Sequence, residues 1–285
     1  MSSTVTSTPV VAAGPNPIAE LAQETGALTR RLLIQLRRRP STLIAGIIQP
    51  MMWLVLFGAL FQNAPAGFFS EGVNYAQFLS AGIIVFTAFS GALNAGLPVM
   101  FDREFGFLNR FLVAPLVSRF SIILASTIFI TLLSLVQTVA VMFTSYLLGG
   151  GLPGLSGFLL VVGVVLLLVL GMTALSLGLT FALPGHVELL AVIFVVNLPL
   201  LFASTALAPL SFMPRWLQVI ASLNPLSYAI EPIRHVYLHP HWSLSDVVLT
   251  APWGDITLGV ALLVLTLFDG AIILSVRGLL QRKLS

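Results

Sequence analysis

The chain runs from Phe120 to Val187 as FSIILASTIFITLLSLVQTVAVMFTSYLLGGGLPGLSGFLLVVGVVLLLVLGMTALSLGLTFALPGHV, without one Asp, Glu, Lys or Arg. A helix needs about 20 apolar residues to cross the roughly 30 Å hydrocarbon core of a bilayer, so this run is long enough for two spans. The segment from Gly149 to Gly154 interrupts the run, and its glycines and proline are typical of a turn. The run therefore predicts two spanning helices joined by a short loop.

The cationic residues outside this run predict its orientation. Of the 13 Lys and Arg residues, 11 lie in three groups, at Arg30–Arg39, Arg103–Arg119 and Arg277–Lys283. Cationic loops stay on the cytoplasmic side of a membrane, whereas the predicted external loop 62–77 has no cation. The chain is 58% hydrophobic and 8% charged, against about 25% charged for soluble domains. These patterns predict a multi-pass protein of the plasma (inner) membrane with both termini in the cytoplasm.

The apolar runs divide the chain into an all-α integral membrane protein. Six spans are predicted, at residues 42–61, 78–100, 120–148, 158–183, 189–209 and 256–276. We expect a disordered tail at 1–17, an amphipathic interfacial helix at 18–40 and a membrane domain at 41–285. Within that domain, residues 210–252 combine charges, prolines and short apolar runs. They predict short external helices that dip into the bilayer, before the last span.

Several kinds of chemistry are excluded or disfavoured by the residues themselves. The one lysine is Lys283, so the chain has no phosphate loop of the G-x-x-x-x-G-K type. It has no G-x-S-x-G or H-E-x-x-H motif and no cysteine. His235, His239 and His241 are interrupted by Pro240, which disfavours a metal site. We therefore predict no catalytic, cofactor-binding or metal-binding residue, and a membrane surface rather than nucleic acid as the partner of the basic charge.

The predicted cytoplasmic segment 101–115 has the pattern of a short amphipathic helix. Phe101, Phe105 and Leu108 recur at helical spacing, while charged residues lie largely on other faces. The pattern alone fits either a connector anchored in lipid or a docking helix for a soluble partner.

Two motifs resemble those of the ABC-type-2 exporter permeases, the family of drug-resistance, nodulation-factor and polysaccharide export subunits. The first is Arg-Glu-Phe-Gly-Phe-Leu at residues 103–108, followed by Pro115 and a long apolar span. The second is Asn-Pro-Leu-Ser-Tyr at residues 224–228, shortly before the last span. The chain departs from the family pattern at Phe107 and Asn109, where Thr and Glu are usual. The six-span order is similar from about residue 20 to the end.

This resemblance implies the permease subunit of an ATP-driven exporter, without an ATPase site of its own. ATP and Mg would be bound by a separate ATPase subunit present in two copies. A second permease copy, or a related chain, would complete a homodimer or heterodimer among membrane lipids. The resemblance implies that Arg103, Glu104, Gly106 and Arg110 couple the permease to the ATPase.

The route for the substrate is expected between two permeases, partly along the second and fifth spans. Candidate residues are Asn94, Asn197 and the kink at Pro199, although polar residues in spans often join helices instead. Asp269 is the one acid within a predicted span. It is either a residue of the pathway or of a subunit contact, or an acid hydrogen-bonded to a neighbouring helix.

Nearly uncharged spans favour a hydrophobic or amphipathic substrate, such as a lipid, a lipid-linked glycan or a drug. The family resemblance implies that this substrate is moved out of the cytoplasm. Two alternatives stay open from the residues alone. A membrane scaffold or assembly factor would need no coupling motif, and an ion-coupled secondary transporter would need more acids in the membrane than Asp269.

Overall fold

In a computed structural model of the protein, described for residues 17–61, 75–106 and 120–284, most of the described residues are helical. In these ranges the helices are α1 (Pro17–Arg38), α2 (Pro40–Leu60), α3 (Tyr75–Leu93), α4 (Leu97–Glu104), α5 (Phe120–Leu147), α6 (Leu155–Ala182), α7 (His186–Phe202), α8 (Arg215–Leu223), α9 (Pro225–Leu238) and α10 (Leu258–Leu284). The predicted tail lies outside the described residues except for Pro17, at which α1 begins. The prediction of an all-α membrane protein is confirmed.

Helix α1 corresponds to the interfacial helix predicted over residues 18–40. Glu20 lies in its first turn and Arg38 in its last, where the helix dipole favours these charges. It is followed by Pro40, which occupies the first turn of α2 and needs no N–H donor there. Helix α1 packs along α5, and its Arg31 guanidinium lies 3.7 Å from the carboxylate of Asp102 in α4. An ion pair therefore links α1 to the helix that carries the predicted coupling residues.

The second predicted span forms two α-helices, α3 and α4, which are joined by a 3₁₀ turn at Asn94–Gly96. Pro98 has no N–H, so the carbonyl of Asn94 lacks its usual donor four residues later. That carbonyl accepts the N–H of Leu97 instead. Gly96, in this turn, lies close to α6. A Cβ added to Gly96 would come within 2.2 Å of the Thr180 hydroxyl. The turn that carries α4 is therefore packed directly against α6.

The uncharged run forms α5 and α6 as predicted, two helices of 28 residues each. The turn between them contains Gly149 and Gly151 with φ of 81° and 70°. A side chain would strain both positions, which explains the glycines at this point. Helix α6 packs against α3, α5, α9 and α10 and so lies at the centre of the bundle.

The fifth predicted span, 189–209, is shorter than expected. Helix α7 has 17 residues, or about 26 Å at the α-helical rise, and ends at Phe202. In the described ranges, five helical segments are long and apolar enough to cross a bilayer, and α7 is a shorter apolar helix beside them. Residues 203–214 after α7 form turns and a short 3₁₀ helix, Leu210–Phe212, and Pro209 and Pro214 in this segment cannot donate helical hydrogen bonds.

The predicted external segment 210–252 is more deeply packed than expected. Helix α9 contacts α3, α6 and α10, and ten of its 14 residues are buried. An antiparallel hairpin of β1 (Val247–Ala251) and β2 (Gly254–Thr257), which the sequence analysis did not predict, then leads into the last helix. The last span therefore begins at Leu258 rather than at residue 256.

Candidate functional site

Arg103, in the last turn of α4, binds the carboxyl end of α6. Its guanidinium donates hydrogen bonds to the carbonyl oxygens of Thr180, Leu183 and Pro184, at 2.7 Å for Leu183 and 2.6 Å for Pro184. The last carbonyls of a helix have no partner within the helix and carry partial negative charge. Arg103 therefore satisfies the end of α6 through both hydrogen bonding and charge.

Glu104, the next residue, binds the amino end of α7. One carboxylate oxygen accepts the backbone N–H of His186 at 2.6 Å, and the other lies 2.5 Å from the Nδ1 atom of the same histidine. A carboxylate is favoured at the amino end of a helix, where N–H groups are unpaired. Arg103 and Glu104, the α4 clamp, therefore hold the two ends of the turn between α6 and α7.

The other residues predicted to couple to an ATPase stand as follows. Gly106 has φ of 74° and open space around its Cα, so the chain turns there directly after α4. The sequence predicted one amphipathic helix over residues 101–115. The turn at Gly106 interrupts that segment, because a residue in the left-handed conformation cannot continue an α-helix. Arg110 lies outside the described residues. No pattern in the sequence indicated Thr180 and His186 as partners of the α4 clamp, because they lie 77 and 82 residues away along the chain.

A cavity of about 1140 Å³ lies between α1, α2, α3, α4, α5 and α7. Its walls are mainly apolar, with the aromatic side chains of Trp53, Phe86, Phe129 and Phe194 among them. Arg31, Arg38, Arg39 and Asp102 also line the cavity, and Arg31 pairs with Asp102 where α1 meets α4. The described helices thus border a partly open, amphipathic space that is large enough for a drug-sized molecule.

Two of the four residues predicted for a substrate route line this cavity. Asn94 and Asn197 both face it, and the Ser90 hydroxyl donates a 2.9 Å hydrogen bond to the side-chain oxygen of Asn197. Asn94 donates to the carbonyl of Ser90. The bond between Ser90 and Asn197 joins α3 to α7 at the wall of the cavity. Pro199 lies two residues beyond Asn197, outside the lining.

Asp269 lies away from the cavity, between α10 and α6. Its carboxylate is 4% exposed and packs on Gly171, where an added Cβ would come within 1.8 Å of an oxygen. Within the described ranges neither oxygen has a hydrogen-bond partner. A hydrogen bond from Asp269 to a neighbouring helix was one of the alternatives open from the sequence. In the described residues Asp269 packs closely against Gly171 and makes no such bond.

The second family-like motif forms a buried polar network with α7. The Asn224 side chain accepts the N–H of Leu226 at 2.9 Å, which caps α9, and donates to the carbonyls of Leu200 and Ala203 at 2.7 and 2.6 Å. Those two carbonyls lie at the end of α7, so one amide joins the end of one helix to the start of another.

Arg234 extends this network toward α3. Its guanidinium pairs with Glu231, donates to the carbonyl of Thr205 at 2.6 Å and lies 3.7 Å from the centre of the Phe78 ring. Its side chain is 6% exposed and that of Glu231 is 12% exposed. We call Asn224, Glu231 and Arg234 the α9 network. The described helices thus form a bundle of membrane-spanning length with an amphipathic cavity between them.

Comparison with known proteins agrees with this class. The family model described as ABC-2 type transporter matches residues 23–238. The putative transport permease ycf38 of Porphyra purpurea is 57% identical over 258 residues, which cover 90% of this chain and 89% of the relative. The protein of that name in Cyanophora paradoxa is 53% identical over 247 residues, covering 87% and 85%.

More distant relatives carry drug-resistance names. The daunorubicin resistance ABC transporter permease protein DrrB1 of Streptomyces coeruleorubidus is 29% identical over 247 residues, 80% of each chain. The chain belongs to the ABC-2 type transporter family and is a multi-pass membrane protein. Permeases of this family normally work with an ATP-binding subunit.

Proposed function

We propose that the chain is the permease subunit of an ATP-driven exporter that moves a hydrophobic or amphipathic substrate out of the cytoplasm. ATP and Mg bind to a separate ATPase subunit, present in two copies. A second permease copy, or a related chain, completes the membrane core. The protein lies in the plasma (inner) membrane with both termini in the cytoplasm. The observation that carries this proposal is that α4 forms part of the cavity wall and also ends in the α4 clamp.

Helix α4 supports a direct route for coupling. Phe101 and Asp102 face the cavity, while the next two residues bind the turn between α6 and α7. A force applied where the chain leaves α4 at Gly106 therefore acts on the cavity wall and on two further helices together. The ion pair between Arg31 and Asp102 extends the same movement to α1.

The chemistry of the cavity supports the substrate class. Aromatic and aliphatic side chains form most of the wall, and several amides and three arginines also line it. Such a wall favours a molecule with a large apolar body and few polar groups, because an ion would lose its hydration without replacement. The daunorubicin and doxorubicin resistance names of distant relatives agree with a substrate of this kind.

The proposal is tested by purifying the protein from its native host in mild detergent and identifying bound proteins by mass spectrometry. We expect a stoichiometric ATPase with a phosphate loop. Glu104→Arg should abolish its substrate-stimulated activity, since an arginine would repel the amino end of α7. Asp255→Arg makes the same charge change in the exposed hairpin and should leave that activity intact. Absence of any ATPase, under conditions that preserve other membrane complexes, would favour the scaffold alternative.

A further inference from the structure

A proline in α2 leaves one backbone carbonyl without its normal partner. Pro50 has no N–H, so the carbonyl of Gly46 lacks the donor four residues later. The Gln137 side chain of α5 supplies the missing donor, with its nitrogen 2.9 Å from that oxygen. Gly46 leaves the space for this bond, because an added Cβ would lie 2.7 Å from the same nitrogen.

This bond fixes the orientation of the Gln137 amide. A carbonyl can only accept, so the amide nitrogen must face Gly46 and the amide oxygen must face the other way. Gln137 is 6% exposed, and its oxygen has no hydrogen-bond partner among residues 17–61, 75–106 and 120–284. One turn earlier on α5, the hydroxyl of Ser134 is also buried and lacks a partner in these ranges.

Both atoms lie beside the methyl-sized space that a side chain at Gly91 of α3 would fill. A Cβ built on Gly91 would lie 3.7 Å from the Ser134 hydroxyl and 4.0 Å from the Gln137 oxygen. Gly91 and Gln137 line the cavity. Buried polar atoms without partners cost free energy, so two that adjoin the same glycine of the cavity wall point to a hydrogen-bonding ligand.

We propose that Gln137, Ser134 and Gly91 form a hydrogen-bonding subsite for the substrate, which rests on the proposed function. The subsite takes an N–H or O–H group carried on an otherwise apolar molecule. The Gln137 oxygen accepts from that group, and the absence of a side chain at Gly91 lets it approach. Substrates with a single donor within an apolar body are thereby selected over hydrocarbons, esters and N-methylated analogues of the same shape.

Two fluorescent probes that differ by one donor test this specificity. N-dodecyl dansylamide has a sulfonamide N–H, and its N-methyl derivative has none. Each is titrated into the full-length protein in lipid nanodiscs, with binding read from energy transfer between tryptophan and the dansyl group. Trp53 lines the cavity, so Trp53→Phe should remove most of the transfer, although three other tryptophans remain. We expect the N–H probe to bind about fivefold more tightly, the effect of one hydrogen bond.

Variants that leave the bond to Gly46 intact locate the effect. Gly91→Ala places a methyl group at ordinary contact distance in the methyl-sized space, and Ser134→Ala removes one of the two polar atoms. We expect Gly91→Ala to abolish the preference for the N–H probe and Ser134→Ala to reduce it. Gly163→Ala is the matched control, since α6 offers open space at that glycine and the preference should persist.

Three results would overturn the subsite. The first is equal binding of the two probes, as expected if only water binds beside Gly91. The second is energy transfer that is as strong in Trp53→Phe as in the wild type, and the third is no binding of either probe. The association with an ATPase is measured separately by co-purification. A permease that retains its ATPase but does not distinguish the probes would therefore disprove the subsite without disproving the proposed function.

Discussion

The α4 clamp and the α9 network both join the ends of neighbouring helices, but they differ in exposure to solvent. At the clamp, the side chain of Glu104 is 25% exposed and that of its partner His186 is 37% exposed. In the α9 network, those of Arg234 and Glu231 are 6% and 12% exposed. Water can replace a lost bond in the clamp, whereas a lost bond in the network leaves a buried group unpaired. We infer that the network mainly stabilises the fold and that the clamp mainly positions helices.

The largest effect is expected from Arg234→Met. This change leaves Glu231 and the carbonyl of Thr205 buried without their partner. Removing one member of a buried pair costs about 3–5 kcal/mol, so we expect loss of folded protein in detergent by size-exclusion chromatography. Wild-type yield and elution for this variant would contradict the stabilising role of the network.

A smaller loss is expected from Asn224→Ala, which removes three hydrogen bonds at the junction of α7 and α9. We expect about 2–3 kcal/mol of destabilisation, measured by chemical unfolding in detergent. Asn224→Asp separates the two functions of the side chain, because it keeps the helix cap but places a carboxylate against two carbonyls. It should be no more stable than the alanine variant, and a stability near wild type would show that the cap alone matters.

A substitution in the α4 clamp is expected to lower activity more than stability. Glu104→Gln keeps an acceptor for the His186 N–H but removes the charge at the amino end of α7. We expect little change in unfolding temperature and a clear loss of substrate-stimulated ATPase activity in the complex. A fall in stability as large as that of Asn224→Ala would show that the clamp is structural.

The smallest effect is expected at the hairpin, as a dependence on pH. The N–H of Ser243 and the ring of His235 hydrogen-bond to Asp246 and hold its pKa below the usual value. A lowered pKa in the folded state stabilises the protein above the unfolded pKa of about 3.9, and the contribution is lost as the pH falls through the folded value. The unfolding temperature should therefore fall less between pH 5 and pH 3 in Asp246→Asn than in the wild type. An equal fall in unfolding temperature between pH 5 and pH 3 in the two proteins would contradict this role of Asp246.

Much of the architecture could be predicted because spans depend on local composition. The positions of α2, α5, α6 and α10 follow from apolar length, and the turn at Gly149 follows from its glycines. The fifth span was predicted too long because hydropathy continues past Phe202, while the helix ends where Asn224 binds its carbonyls. The hairpin at 247–257 was missed because its short strands carry little signal beside the prolines and charges around them.

The sequence by itself determined that this is a helical membrane protein of the ABC-2 type, since the lengths of apolar runs and two short motifs are properties of neighbouring residues. Only the tertiary structure decided what the polar residues bind. Arg103 reaches a carbonyl 77 residues away, and Gln137 reaches one 91 residues away. Such pairings depend on which helices lie side by side, and the apolar surfaces that bring the helices together are too similar along the sequence to specify their neighbours.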